Sequence, residues 1–353
     1  MKKKLHELGK ELAFPLAAVA AAFILGGLLM LMIGVNPLAA YKALLDGAFG
    51  SLKAISGTID KSVPLIFTGL ALAFGFKCQV FNMGAEGQLL FGGLAAALIG
   101  RYVTGLPAVL HLPLTILGGL AAGGLWALPP ALLKVRRGVN EVIGTIMMNN
   151  IGALAVSYFI MGVFKAPGEL NATEPIQPTA AIGALQVGGV TLSYSFLLAL
   201  AACVGVYLFL NKTTMGYEIK AVGLNRDAAE YAGINANKSI LLVFIISGML
   251  ASLAGITEIT GNYMRIYDGF SPGYGADGIS IALLANCNPF GVILSSLLFG
   301  ALRYGATMMQ AKVGVSKEIV VAIQAMIVLL VASEKIFKLM LARREQKRRC
   351  AQP

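Results

Sequence analysis

Between Phe74 and Gly100 the chain reads FGFKCQVFNMGAEGQLLFGGLAAALIG, an apolar stretch whose middle carries Lys77, Gln79, Asn82, Glu86 and Gln88 beside Gly84 and Gly87. A carboxylate in hydrocarbon is costly, so side chains of this kind face a water-filled cavity or a protein interior. Glycines beside them let the backbone unwind, which a membrane tolerates only where the unwound chain lines such a cavity. The expectation is a broken helix along a permeation path. A second passage repeats the pattern: Gly275-Ala276-Asp277-Gly278-Ile279 mirrors Gly84-Ala85-Glu86-Gly87-Gln88, and its apolar continuation is interrupted at Asn286-Cys287-Asn288-Pro289. Interrupted hydrophobic segments in corresponding halves of a chain mark a transporter's binding site.

Amides and carboxylates both suit hydroxyl-rich solutes, because between them they donate and accept hydrogen bonds. The candidate path residues are therefore Asn82, Glu86 and Gln88, then Asp277 and Asn286. Asn149 and Asn150, in the apolar run Val142 to Phe164, come last, because amides within a membrane helix more often bond a neighbouring helix. Two other readings of the acids stand beside this one. Glu86 and Asp277 could be the proton or sodium sites of an ion-coupled secondary transporter. They could equally cap half-helix starts, or pair with Lys77, Arg101 or Arg265 for structure alone.

Catalytic residues are not expected. Cys78, Cys203, Cys287 and Cys350 show no CxxC spacing, and His6 and His111 are too few and too far apart for a metal centre. No GxxxxGK[ST] loop occurs, so any ATP that drives this chain must be held by another one.

The elements that must position these residues follow from composition. With 57% hydrophobic and 13% charged residues the chain belongs among membrane proteins. The runs Ala13 to Gly34 and Val142 to Phe164 carry no charge and exceed the length of a bilayer span. A first span at 13–34 is followed by an external amphipathic segment at 35–61 and a short span at 62–76 that ends in the break. Further spans are expected at 84–101, 108–133 (kinked or ended by Pro129-Pro130), 142–164, 194–210, 239–257 and 319–333, with an outer loop at 165–191. A re-entrant hairpin enters at Gly275 and turns near Asn286 to Pro289. The sum is an all-α polytopic fold of about eight crossings plus one re-entrant pair, a single membrane domain over 1–353 with related halves at roughly 13–164 and 194–333.

The net charge of +11 does not point to nucleic acid, since the basic residues form no patch with interleaved aromatics. Of the 28 Lys and Arg, 18 fall in the N-terminal segment, in 134–137, in the polar loop 211–238 and in the tail 334–353, against 9 in the intervening loops, with Lys77 in the broken stretch. This is the positive-inside pattern, with both termini in the cytoplasm. Lys2 to Lys4 precede an apolar run longer than a signal peptide's, which predicts a retained first span.

Within the loop 211–238, the run Asn225 to Gly233 predicts a short helix. Asn225 caps it, Asp227 complements the positive end of its dipole, Ala228 and Ala229 propagate it, and Gly233 stops it. Two turns are not stable alone in water. Asn225, Asp227, Ala228, Ala229, Glu230, Tyr231 and Gly233 must therefore dock, either on a partner or on the chain's own inner surface.

The order Asp227-Ala228-Ala229, three residues, Gly233 resembles the cytoplasmic coupling motif of binding-protein-dependent ABC permeases, with Asp for the usual Glu and without the apolar-proline ending. Three further segments extend the likeness: Phe81 to Gln88, Met215 to Gly223, and Gly278 to Leu284 ahead of Asn288-Pro289. Together they resemble the permease family serving ribose, branched-chain amino acids and nucleosides, over roughly Ser62 to Ser333. The form Asn82-Met83-Gly84-Ala85-Glu86-Gly87-Gln88 is similar to its nucleoside and sugar branch. The resemblance implies an importer for nucleosides or simple sugars. An extracytoplasmic solute-binding lipoprotein or periplasmic protein would deliver the solute, and two permease subunits, identical or different, would form the path in the lipid bilayer. Cytoplasmic ATP-binding subunits would drive it, holding the ATP and magnesium themselves, and this chain would be no enzyme and carry no cofactor.

Overall fold

The computed structural model describes residues 2–332 apart from 169 and 189. The basic tail 334–353, and its share of the sidedness argument, lies outside the described residues. Helices dominate: α1 Lys2–Met32, α2 Pro37–Phe49, α3 Leu52–Lys77, α4 Ala85–Tyr102, α5 Ala108–Trp126, α6 Leu128–Arg137, α7 Glu141–Tyr158, α8 Tyr194–Lys212, α9 Thr214–Leu224, α10 Arg226–Tyr231, α11 Ala236–Thr257, α12 Tyr274–Leu284, α13 Pro289–Val313 and α14 Lys317–Ala332. Among the described residues 6 helical stretches are long and apolar enough to cross a membrane: Leu52–Lys77, Ala108–Arg137, Glu141–Val163, Tyr194–Lys212, Ala236–Tyr263 and Pro289–Val313. Ala17–Met32 and Tyr274–Leu284 are shorter apolar helices. The polytopic all-α fold read from the sequence is the one observed.

Two departures have plain physical reasons. The segment 35–61 is helix rather than loop: Asn36 caps α2 by accepting from the Leu38 amide at 2.9 Å, and α3 begins ten residues before the apolar run. Its charged and hydroxylated first turns are kept helical by packing, with Ala54, Ser56 and Thr58 buried and the Ser56 hydroxyl accepting from Thr191 at 2.9 Å. The connection 165–191 is not featureless either. It carries an antiparallel hairpin, β1 Ala184–Val187 and β2 Val190–Ser193, and Gln177 clamps the end of α4 by donating to the Arg101 and Val103 carbonyls.

The described residues divide into two units. The larger, Leu52–Ala301, is organised around α3 and α11, which are mostly buried, whereas α7 and α8 are mostly exposed. Close approach of α4, α5 and α11 depends on glycine. A Cβ at Gly248 would lie 2.7 Å from the Gly123 carbonyl oxygen, and one at Gly119 3.0 Å from that of Gly92. Small residues at crossings are how membrane helices gain contact without a hydrophobic driving force. The smaller unit comprises the described parts of Met1–Ser51 and Leu302–Pro353. In it the Tyr41 hydroxyl donates to the Phe23 carbonyl, Gly26 meets Ile323, and Lys312 lies 3.6 Å from Asp46.

Candidate functional site

The first break is real backbone: α3 ends at Lys77, α4 starts at Ala85, and residues 78–84 between them are not helical. Gln79 sits in the left-handed region at φ 51 and turns the chain there. Asn82 organises the break. Its side chain is fully buried; Nδ2 donates to Gln88 Oε1 at 3.1 Å and to Ser247 Oγ at 2.9 Å, while Oδ1 accepts from the Gly84 amide at 3.0 Å and from Gln88 Nε2 at 3.2 Å. The Ser247 hydroxyl in turn donates to the Ala71 carbonyl at 2.9 Å. Ser247 lies eleven residues into α11, so the break reaches about 16 Å along that helix at 1.5 Å per residue.

Asn149 joins the same construction from α7, accepting from the Gly87 amide at 2.8 Å and donating to the Met83 carbonyl at 2.6 Å. Thr145, one turn earlier, accepts from the Met83 amide at 3.2 Å. Neither Thr145 nor Ser247 was singled out in the sequence, since a hydroxyl in an apolar helix gives no periodic signal.

The second break meets the first. Gly273, at φ 89, opens α12, and the Gly275 amide donates to Glu86 Oε2 at 2.6 Å. A Cβ on Gly275 would lie 2.7 Å from the Glu86 Cα, so the starts of α4 and α12 abut with one carboxylate between them. Negative charge at two helix starts complements both dipoles. Glu86→Gln keeps an acceptor but removes the charge, and is expected to lower stability by about 1 kcal/mol, with Glu86→Ala at about 2 kcal/mol; thermal melting in detergent measures both.

Glu86 is not the partner of Arg101, which pairs instead with Glu174. Asp277 lies half-buried in the first turn of α12, its amide donating to the Gly273 carbonyl at 3.1 Å. Asn286 is apart from this group: exposed, at φ 50, it forms the turn between α12 and α13. Asn150 is apart as well, on the exposed side of α7, donating to its own helix at Ile146. The structure thus brings together Asn82, Glu86, Gln88 and Asn149, and it gives each of these four a hydrogen-bonded place in the junction.

The loop between α8 and α11 holds the short helix expected of it. Asn225 Oδ1 accepts from the Ala228 amide at 3.0 Å, Arg226 pairs with Glu230 at 3.0 Å and reaches Asn237 Oδ1 at 3.0 Å, and Gly233 stops the chain at φ 86. Ala229 alone among 225–233 is buried, whereas Tyr231 is 97% and the preceding Leu224 86% exposed. Next to it α9 is clamped at both ends. A Cβ at Gly216 would collide with the Phe209 carbonyl, and one at Gly223 with the Lys77 carbonyl, 2.8 Å from the Cys78 Cα. Gly223 therefore seats α9 on the residues that open the first break, a contact the seven-residue spacing of Gly216 and Gly223 could have suggested.

A family model described as branched-chain amino acid transport system / permease component matches residues 54–332. The guanosine ABC transporter permease protein NupP of Bacillus subtilis (strain 168) is 38% identical over 343 residues, 96% of this chain and 97% of that protein. The nucleoside ABC transporter permease protein NupB of Lactococcus lactis subsp. cremoris (strain MG1363) is 33% identical, covering 94% and 93%. The glucose ABC transporter permease protein TsgB13 of Haloferax volcanii is 34% identical, covering 92% and 88%. With helices built to cross a bilayer, two interrupted segments locked together, and an exposed, capped short helix, the chain belongs to this family of ABC transporter permease components.

Proposed function

We propose that the chain is the path-forming permease subunit of an ATP-driven importer for nucleosides, or for sugars related to them. Permease components of this family work with an ATPase and a solute-binding protein; here a second permease subunit completes the path and an extracytoplasmic lipoprotein or periplasmic protein delivers the solute. The termini and the 211–238 loop face the cytoplasm, where ATP and magnesium are held by the ATPase. Relatives named for guanosine, nucleosides and glucose support the solute class.

The observation that carries this reading is the α9–α10 pair. Helix α10 is capped and held by Ala229 and Arg226, yet offers Tyr231 and Leu224 to whatever lies beyond it. Exposed aromatic and aliphatic side chains of this kind anchor protein interfaces. Through Gly223, α9 rests on Lys77 and Cys78, so displacement of α10 by a closing ATPase pair is passed to the break between α3 and α4. ATP shifts the equilibrium between inward- and outward-open states because the ATPase binds it differently in the two.

The ion-coupled alternative is disfavoured by Glu86, whose Oε2 is engaged by the Gly275 amide. Proteoliposomes test the reading. Uptake of labelled guanosine is expected only with ATP inside, the ATPase subunit assembled, and the solute-binding protein outside. Uptake driven by a proton or sodium gradient without the ATPase would overturn it.

A further inference from the structure

Helices α5, α7 and α8 all turn much of their surface outward, and their exposed faces differ in one respect. On α5 the exposed side chains between Val109 and Leu125 are all apolar, and so are those on α8 between Leu197 and Val204. Lipid tails cover such faces as well as leucine would. On α7 the face built from Ile143, Met147, Leu154 and Tyr158 is interrupted by exposed Asn150. This amide lies nine residues into the span Glu141–Val163. At 1.5 Å per residue that is about 14 Å, half the depth of a hydrocarbon core.

An asparagine side chain carries two N–H donors and an acceptor oxygen. One N–H of Asn150 donates to the Ile146 carbonyl at 3.2 Å, inside its own helix, and the other N–H and Oδ1 have no partner among the described residues. Lipid tails supply neither a donor nor an acceptor, and polar groups bared to hydrocarbon are costly. Amides within membrane helices are met by neighbouring helices.

What Asn150 has left to offer is one donor and one acceptor, a set complementary to itself. Subunits of one fold pair about a two-fold axis, so that a helix beside the axis faces its own counterpart. Two amides meeting there exchange a reciprocal pair of hydrogen bonds, and Ala153, exposed one turn further on, lets the backbones approach. The other side of α7 belongs to the first break. Asn149, the adjacent residue, bonds the Gly87 amide and the Met83 carbonyl, and Thr145 accepts from the Met83 amide.

We propose that the exposed face of α7, centred on Asn150, is where a second permease subunit packs, through a reciprocal amide pair with that subunit's own α7. A single helix then separates the seam between the subunits from the break, and residues 149 and 150 tie the two together. The faces of α5 and α8 are left to lipid. This rests on the importer reading above, which calls for two permease subunits.

The test uses the assembled importer in its membrane, with p-benzoylphenylalanine replacing Met147, Leu154 or, on α8, Val204, and mass spectrometry of the photoproducts. Positions 147 and 154 are expected to join a second permease chain, a copy or a relative, and position 204 to join lipid. In liposomes, Asn150→Leu is expected to weaken pairing of the permease subunits roughly tenfold by energy transfer between labelled chains, with Asn150→Gln near wild type and the melting temperature unchanged in both. Permease photoproducts from position 204 instead of 147 and 154 overturn the surface and leave the two-subunit importer standing. Pairing of Asn150→Leu as tight as wild type overturns the amide pair, and if uptake falls nonetheless, the amide faces the solute. A wild type that takes up solute with no second permease joined at any of these positions overturns the importer reading itself.

Discussion

Asn82→Leu is expected to destabilise the protein by about 4 kcal/mol and to abolish uptake with it. The amide makes four hydrogen bonds in a fully buried place, to Gln88 twice, to Ser247 and to the Gly84 amide. Leucine matches the volume but leaves both polar atoms of Gln88 and the Gly84 amide unpaired, each at roughly 1–3 kcal/mol. The start of α4 would lose its anchor to α11, and with it the placement of Glu86 against Gly275. Chemical denaturation of the detergent-solubilised protein measures the loss. Near-wild-type stability would mean that the break is held by Asn149 and Thr145 from α7 rather than by this amide.

Gly223→Leu is expected to cut uptake roughly a hundredfold, the scale on which an ångström of misplacement acts. A side chain there meets the backbone of Lys77 and Cys78, which no rotamer can relieve, so α9 must move away from the break. Because α10 keeps its cap and its exposed Tyr231, the ATPase should still bind and hydrolyse ATP. Uptake and hydrolysis measured on the same proteoliposomes separate the outcomes. Loss of uptake with hydrolysis retained supports transmission through α9, whereas full uptake, or loss of assembly alone, sinks it.

The parts of this arrangement that were legible in the sequence are those written in local chemistry. Asn225, Asp227 and Gly233 state a short helix by capping and stop rules alone, and the helix is there. Charged and amide residues beside Gly84 and Gly275 announced interruptions, and both occur. What those side chains touch was not legible, because Asn82 to Ser247 and Glu86 to Gly275 join residues far apart in the chain. The helical start of α3 was hidden for the opposite reason: Lys53, Asp60 and Lys61 read as an exposed segment, and tertiary packing on β2 and α8 overrides that reading. Glu258, buried in the π turn 258–263 that continues α11, was available to the rule applied to Glu86, a carboxylate in an otherwise apolar run, but it falls at the very end of that run, where a boundary is easily taken for a loop.

The amides of Asn82 and Gln88 have a consequence for the energy economy of the membrane. The side-chain oxygens and nitrogens of Asn82 and Gln88 are already engaged within the protein, so a file of water has little to gain from these two amides. Narrow apolar or self-satisfied constrictions shut by expelling water. A resting copy of this protein would then be electrically silent, letting a cell keep its proton-motive force intact while holding many such conduits in readiness.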